Sequence, residues 1–259
     1  MTYFGVLLWF IGPPLVILIA ATWRDIYLKR GLPPQFRTWS PWAILFGHVG
    51  LALAYTTPWD NYLVANRIWW YDPTLVTGIT LGWVPIEEYT FFVVQTLLVG
   101  LWVLFWLRRQ PWPQRTMQAN RAIRWLSGAV AGVIWLSGLI ALLSGWPQGR
   151  YMAILLVWAL PPIILQLGFG ADILWHYRRP VLIGLLPPFL YLCLLDGSAI
   201  FGGTWTINPQ NTLGIDLFGI LPLEEITFFL LTCVLICFGI VLMLARESHL
   251  RAGWGHTRP

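Results

Sequence analysis

The sequence predicts an all-α polytopic membrane protein with about seven transmembrane helices, arranged as two parallel three-helix repeats joined by a connector helix. Three observations support this prediction. Of the 259 residues, 58% are hydrophobic and only 10% are charged, and the mean hydropathy is +0.67. The apolar residues gather into runs of membrane length, and one nine-residue phrase occurs twice. An ordinary soluble domain is therefore excluded.

A helix needs about 20 apolar residues to cross a bilayer, and seven runs approach this length. They lie near residues 3–23, 41–57, 84–107, 123–144, 151–174, 181–196 and 217–245. The first run begins without a basic segment and is long enough to span. We therefore interpret it as a transmembrane helix rather than a cleavable signal peptide.

Basic residues are distributed unevenly between the predicted loops. Fourteen of the sixteen Lys and Arg residues fall on one side of the membrane, and the other side carries only Arg67 and Arg150. Because Lys and Arg accumulate in cytoplasmic loops, we predict a multi-pass protein of the cell (inner) membrane with its N-terminus outside and its C-terminus in the cytoplasm. This distribution also explains the net charge of +5 without a nucleic-acid partner.

The repeat is carried by residues 84–92 (VPIEEYTFF), which return as residues 221–229 (LPLEEITFF). Further matched pairs are Pro13-Pro14 with Pro161-Pro162, Asp25 with Asp172, Asp60 with Asp196, and Trp69 with Trp205. Four helices separate equivalent positions, so the two units share one orientation, related by an axis along the membrane normal. We predict a first unit at 1–110, a connector with the fourth span at 111–148, a second unit at 149–248 and a cytoplasmic tail at 249–259.

Each copy of the phrase combines a proline with two adjacent glutamates at the start of an apolar helix. These residues are Pro85, Glu87, Glu88, Pro222, Glu224 and Glu225. A proline and acids in the first turn describe an ordinary helix start, so one copy alone is ambiguous. Acids beside membrane-length apolar runs are costly and usually functional, however. Adjacent side chains point about 100° apart, so one glutamate of each pair can face the bundle while the other caps or pairs.

Aromatic residues follow one turn later, and these are Phe91, Phe92, Phe228 and Phe229. An acid beside aromatic faces in a dry site suits proton transfer and the stabilisation of a cation. Asp60 and Asp196 end the preceding predicted spans, where they either cap loops or support the glutamates in a proton relay. Arg67 is a candidate partner for one of these acids. The loops around Trp69 and Trp205 either lie in the interfacial aromatic belt or cover the site.

Other chemistries have less support in the sequence. The cysteines lie in apolar runs without disulfide or metal-ligand spacing; they are Cys193, Cys233 and Cys237. Neither His48 nor His176 has a partner at metal-ligand spacing, so core or surface roles are expected for both. No Gly-x-Gly-x-x-Gly pattern follows a strand, so no dinucleotide cofactor is expected. The only lysine, Lys29, lies in the first predicted inner loop, which excludes a retinal Schiff base in the last helix.

Two three-span units that each carry Pro-x-Glu-Glu-x-Thr-Phe-Phe resemble the integral-membrane lycopene cyclases, in the form that fuses two subunits into one chain. The resemblance covers both repeats but neither the fourth span nor the termini. It implies a lycopene β-cyclase that needs neither cofactor nor metal and that converts the ψ end groups of lycopene into β-ionone rings, through γ-carotene to β-carotene, without net redox change.

The resemblance also implies roles for the motif residues. It places Glu87, Glu88, Glu224 and Glu225 in the active site, with an acid from one half and a base from the other. Phe91, Phe92, Phe228 and Phe229 would stabilise the carbocation. The motifs do not show which glutamate is the acid or whether the product carries β or ε rings. They also leave open whether the substrate has 40 or 50 carbons and whether one end or both ends are cyclised.

Two other functions fit the repeat and its acids: a proton-coupled small membrane transporter, and a non-catalytic subunit of a carotenoid biosynthesis assembly. The expected partners are lycopene and membrane lipids, with no nucleic acid. Association with other carotenoid enzymes and the oligomeric state are left open.

Overall fold

A computed structural model of the chain describes residues 1–110 and 116–254. Arg115 and Arg258, which contributed to the predicted orientation, lie outside these ranges, as does the end of the predicted tail. The helices are α1 (Tyr3–Tyr27, with a π-helical turn at Leu7–Ile11), α2 (Pro41–Ala65), α3 (Ile86–Leu107), α4 (Arg121–Leu143), α5 (Arg150–His176), α6 (Arg178–Phe201), α7 (Leu223–Leu244) and the short α8 (Arg246–Arg251).

The predicted all-α polytopic membrane fold is confirmed. Among the described residues, six helices are long and apolar enough to cross a membrane, namely α1, α3, α4, α5, α6 and α7. Helix α2 has 25 residues but carries Thr56, Asp60 and Asn61 among others, which lower its hydropathy. Its crossing of the membrane therefore stays a prediction.

Two predicted spans were too short, and this changes the interpretation of two acids. Helix α2 continues through Pro58 to Ala65, and α6 begins at Arg178 and ends at Phe201. Asp60 and Asp196 are therefore buried inside these helices and do not end them. The prediction that these aspartates end the two helices was wrong. Each apolar run stops near the aspartate, but the residues that follow it extend the helix by more than a turn.

Helices α3 and α7, which begin with the repeated phrase, form the centre of the bundle. Helix α7 packs against α2, α3, α5 and α6, and α3 also packs against α1, α2 and α6. The side chains of Gln95 and Thr232 join the two central helices by a hydrogen bond of 2.9 Å. The connector α4 packs chiefly along α5 and leaves most of its surface outward. The starts of α3 and α7 are thus brought together at one end of the protein.

Short strands, which the sequence did not predict, complete this end. They are β1 (Trp69–Tyr71), β2 (Thr80–Leu81), β3 (Val84–Pro85), β4 (Trp205–Ile207), β5 (Asp216–Leu217) and β6 (Leu221–Pro222). Strand β1 pairs antiparallel with β4, with Trp70 opposite Thr206, and so joins the two halves of the chain. The other four form two hairpins, β2–β3 and β5–β6.

Each hairpin leads directly into a central helix. Gly82 and Gly219 adopt φ values of 70° and 68° in the two hairpin turns, a conformation that glycine adopts without steric cost. Pro85 and Pro222 were expected at the first helical position and instead lie one residue earlier, at the N-cap, because each still pairs with its hairpin partner strand. The hairpins therefore fix where the glutamate pairs begin.

Candidate active site

A cavity of about 40 Å³ lies where α3 and α7 begin. It is lined by Tyr3, Trp59, Trp69, Tyr71, Glu88, Phe91, Phe92, Tyr151, Asp196, Trp205, Ile207, Glu225, Phe228 and Phe229. Both halves of the chain contribute acids and aromatic rings to it. All four phenylalanines predicted for the site are present, together with one glutamate from each pair. A cavity of this size holds only a few water-sized groups, so a bulkier guest requires movement of the lining side chains.

Glu88 and Glu225 are the two glutamates that face the cavity, and each is held by a tyrosine from the start of another helix. The Tyr3 hydroxyl donates to Oε2 of Glu88 at 2.5 Å, and the Tyr151 hydroxyl donates to Oε1 of Glu225 at 2.7 Å. Both carboxyls are buried. The two halves therefore present one tyrosine–glutamate pair each to the same space.

Glu87 and Glu224, the other member of each pair, hold the preceding loops instead. Oε1 of Glu87 accepts the backbone N–H of Thr77 at 2.6 Å, and Oε1 of Glu224 accepts that of Leu213 at 2.8 Å. Neither side chain lines the cavity. The division of each pair into an inward and a loop-binding glutamate is the one that the helix geometry allows.

The two halves differ at Tyr71, whose counterpart in the repeat is Ile207. The Tyr71 hydroxyl donates a second hydrogen bond to Oε2 of Glu88 at 3.0 Å, and it accepts the indole N–H of Trp69 at 3.0 Å. Burial, followed by the charges of Glu88 and Asp60, raises the pKa of Tyr71 well above its ordinary value, so the hydroxyl keeps its proton as a donor. Ile207 offers Glu225 no such bond.

Asp60 and Asp196 also differ in the hydrogen bonds that they accept. Oδ1 of Asp196 accepts the indole N–H of Trp205 at 2.9 Å. Both carboxyl oxygens of Asp60 lack a hydrogen-bond partner within the described ranges, because the equivalent indole of Trp69 donates to Tyr71 instead. Burying a carboxylate without a donor is costly. Asp60 and Asp196 are thus chemically distinct although they occupy matched positions.

Aromatic rings form most of the remaining cavity wall. Phe91 and Phe229 meet edge to face across the two central helices, with centroids 6.1 Å apart. Trp59 lies parallel to Phe228 at 5.7 Å and stacks on Trp158 at 4.2 Å. The negative faces of such rings stabilise a cation by about 0.5–2 kcal/mol each when water is excluded.

An apolar groove of about 250 Å³ adjoins the cavity. It runs between α2 and α5 over the middle of the bundle, and residues from α3 and α7 form its floor. Phe92 and Phe228 line both spaces and therefore separate the groove from the acids. His48, for which a core or a surface role was expected, lines the groove and bonds the carbonyl of Ile44.

One predicted pairing is wrong. Arg67 takes part in none of the ion pairs formed by the residues that the structure describes, and its backbone adopts a left-handed φ of 57° at the end of α2. Glu88, Glu225 and Asp196 instead accept hydrogen bonds from neutral tyrosine and tryptophan donors, which cost less to bury than a guanidinium.

The sequence analysis missed the tyrosines. Tyr3 and Tyr151 each lie ten residues before a matched Pro-Pro pair, so extending the repeat toward the N-terminus of each unit would have found them. Tyr71 has no repeated partner, and only the fold brings its loop to Glu88.

The fold and the site together define a class: a polytopic membrane protein of two like halves, with a shared pocket of buried carboxyls and aromatic rings beside an apolar groove. Such a pocket can transfer protons to and from an apolar guest.

Sequence comparisons give the family. The profile of the lycopene cyclase family matches residues 2–106 and 149–244 and leaves out α4. A relative from Halobacterium salinarum named lycopene beta-cyclase is 39% identical over 238 residues, which cover 90% of this chain and 91% of the relative. The chain belongs to the lycopene cyclase family.

Fungal relatives named bifunctional lycopene cyclase/phytoene synthase also match. The protein from Gibberella fujikuroi is 35% identical over 74% of this chain and 33% of its own length, and that from Podospora anserina is 37% identical over 71% and 32%. No solved structure matches the chain.

Proposed function

We propose that this protein is a lycopene β-cyclase, which converts ψ end groups of lycopene into β-ionone rings. The observation that carries the proposal is that one glutamate from each repeat, Glu88 and Glu225, faces a single aromatic cavity beside an apolar groove. The name of the Halobacterium salinarum relative, which this chain matches along most of both lengths, supports the same substrate.

The reaction moves one proton in and one proton out. An acid protonates C2 of the terminal C1=C2 bond and leaves a tertiary cation at C1. The C5=C6 bond attacks C1, which forms the C1–C6 bond and moves the cation to C5. A base then removes the proton from C6, so that the C5=C6 bond of the β ring forms. Phe91, Phe92, Phe228 and Phe229 stabilise the cation while it exists.

We assign Glu225 as the acid and Glu88 as the base. Hydrogen bonds donated to a carboxylate favour its ionised form. Glu88 accepts two tyrosine hydroxyls, and the Trp69 N–H orients one of them so that its proton points to Glu88. Glu225 accepts one. Glu88 is therefore the better holder of a negative charge, and Glu225 is the better holder of a proton.

The remaining acids support these two. Glu87 and Glu224 are positioning residues, since they tie the loops before α3 and α7 to the first helical turn. Asp196 of α6 lines the cavity, and Asp60 is buried at the matched position of α2. We infer that they return the proton from Glu88 to Glu225 between turnovers. The cavity needs both units, 1–110 and 149–248, and α4 joins them.

The substrate reaches the site from the lipid phase through the groove between α2 and α5, and its end group passes Phe92 and Phe228 to reach the acids. The protein lies in the cell membrane with its N-terminus outside and its arginine-rich face in the cytoplasm. The site then lies toward the outer face, in a water-poor setting in which carboxyl chemistry with an alkene is effective.

Expression in a lycopene-accumulating bacterium tests the function. Pigment extracts should contain γ-carotene and β-carotene with the natural sequence. Glu88→Gln and Glu225→Gln should leave lycopene unchanged while the protein still inserts in the membrane. Lycopene unchanged by the natural sequence would favour the transporter or the non-catalytic subunit.

Deuterium exchange tests the assignment of roles. Glu88→Gln, incubated with lycopene in heavy water, keeps its acid and should incorporate deuterium at C2 through reversible protonation. Glu225→Gln has lost its acid and should incorporate none. The opposite pattern would exchange the two roles without affecting the proposed function.

A further inference from the structure

A second pocket, of about 410 Å³, lies at the opposite end of the bundle from the acids. The end of α1, the loop that follows it, the start of α2 and the end of α3 surround it. We call it the basic pocket, and its charged lining residues are Asp25, Lys29, Arg30, Arg37 and Arg108. Four cations and one carboxylate therefore face the same space.

The single carboxylate is already satisfied. Asp25 receives a two-pronged hydrogen bond from Arg109 at 2.7 and 2.8 Å, the strongest arrangement that a carboxylate and a guanidinium form. Arg30 and Arg108 are farther from Asp25, at 3.9 and 3.7 Å. Asp25 is thus neutralised by Arg109, and the four lining cations remain in excess.

Arg108 is the most informative of these cations. Its side chain is only 6% exposed, and its Nη1 atom has no hydrogen-bond acceptor in the part of the chain that the structure describes. A buried guanidinium nitrogen without an acceptor is costly, so such groups normally bind an anion or an oxygen. Arg108 lines the pocket, where a phosphate oxygen can take this place.

The second repeat supplies an internal comparison. Its matched acid, Asp172, is bound by both guanidinium nitrogens of Arg251 at 2.8 Å and by the backbone N–H of Asn120 at 3.0 Å, and Arg124 lies at 3.7 Å. Only Tyr177 separates α5 from α6, whereas thirteen residues, 28–40, separate α1 from α2. The basic pocket is therefore built by a loop that the other unit lacks, and it does not follow from the repeat alone.

The surroundings of the basic pocket suit a lipid rather than a free ion. Trp39 and Trp42 line it and are exposed, as is typical of side chains at the membrane interface. Trp23 and Tyr27 on the neighbouring turns of α1 are strongly exposed and apolar. An anionic headgroup bound in the basic pocket would thus lie beside a surface that acyl chains can contact.

We propose that the basic pocket binds the phosphate headgroup of an anionic phospholipid, with Lys29, Arg30 and Arg108 as its cationic ligands. Basic pockets between membrane helices on the arginine-rich face recognise such headgroups. The tryptophans hold the glycerol region at the interface, and the acyl chains lie along α1.

Thermal unfolding of the purified protein in detergent tests the proposal. Dihexanoyl-phosphatidylglycerol should raise the midpoint saturably by about 2–4 °C, whereas dihexanoyl-phosphatidylcholine should not. Lys29→Gln with Arg30→Gln should abolish the shift. These side chains lie at the mouth of the pocket, and that of Arg30 is 51% exposed, so the substitutions leave the packed core intact. Arg108→Gln should weaken lipid binding at least tenfold when retained lipid is counted by native mass spectrometry.

Arg178→Gln with Arg179→Gln is the matched control, because these arginines carry the same charge at the start of α6 in the other unit. This variant should keep the full shift. An equal loss in the control would reduce the effect to general surface charge and overturn the proposal. If inorganic phosphate alone raised the unfolding midpoint as much as the lipid does, the pocket would be a site for a free anion and the lipid proposal would be overturned. An equal response to both lipids would exclude an anion site.

Discussion

Replacing Tyr71 with phenylalanine tests the proposed difference between the two glutamates. The change removes one of the two hydroxyls that donate to Oε2 of Glu88, at 3.0 Å, and leaves the bond from Tyr3 in place. A hydrogen bond to a charged group contributes about 1.5–3 kcal/mol. Losing this bond makes ionisation of Glu88 less favourable by that amount, and each 1.36 kcal/mol is about a factor of ten in the ratio of ionised to protonated base. The rate on the acidic limb should therefore fall roughly 10- to 100-fold.

The pH dependence of the rate should change as well. A carboxylate that has lost a donor binds a proton more readily, so the acidic limb of the rate profile should move to higher pH. The value of KM should change little, because Tyr71 does not line the groove proposed for the polyene. A purely structural effect of the substitution would lower the amount of folded protein and leave the profile in place.

The assay is the initial rate of β-ring formation from lycopene in proteoliposomes, measured across pH by chromatography. Tyr191→Phe is the matched control, since its hydroxyl bonds the carbonyl of Phe10 and does not line the cavity. An unchanged rate and profile for Tyr71→Phe would refute the assignment of Glu88 as base. An equal rate loss in Tyr191→Phe would also refute this assignment, because the effect would then not depend on the bond to Glu88.

Three further predictions concern the supporting residues. Glu87→Gln and Glu224→Gln should each lower stability by about 1 kcal/mol in thermal or denaturant unfolding while keeping measurable cyclisation, because glutamine still accepts the backbone N–H but without the charge. Complete loss of product in both variants would place these residues in the chemistry. Phe228→Leu should lower kcat by about 2- to 30-fold through lost cation stabilisation, and Phe228→Tyr should restore it, whereas equal rates for leucine and tyrosine would remove the ring from the mechanism. Arg251→Gln should destabilise the protein by about 3 kcal/mol because Asp172 loses its two-pronged partner, with Arg251→Lys intermediate; unchanged unfolding would contradict this.

The apolar runs and the repeated phrase were sufficient to predict the helices and the four phenylalanines of the cavity. The predicted limits of α2 and α6 were wrong because the helical backbone hydrogen bonds continue past the end of each apolar run. Helix α2, for example, continues beyond Asp60 to Ala65. The strands have only two or three residues, too few for an alternating pattern to be visible.

The site was less predictable than the fold, and the reason is spatial. Whether Glu87 or Glu88 faces the cavity depends on the position of the loop before the β2–β3 hairpin, which supplies the N–H of Thr77. The role of Tyr71 depends on the pairing of β1 with β4. The sequence itself carries no local signal for either contact.

Under the proposed roles, the differences between the two halves explain how a duplicated site uses two identical residues for opposite tasks. Two equivalent buried carboxyls would share one proton equally, and neither would be fixed as acid or base. In this chain Glu88 accepts a second hydroxyl from Tyr71, whose matched residue in the second half is the apolar Ile207. Trp69 donates to that tyrosine, whereas Trp205 donates to Asp196. One substitution at the repeat position of Tyr71 therefore redirects an indole, leaves Asp60 without a donor and gives Glu88 a second one. Because both halves belong to one chain, such a substitution alters one half and leaves the other as it was. Under the proposed roles, this difference sets the direction of proton transfer from Glu225 to Glu88.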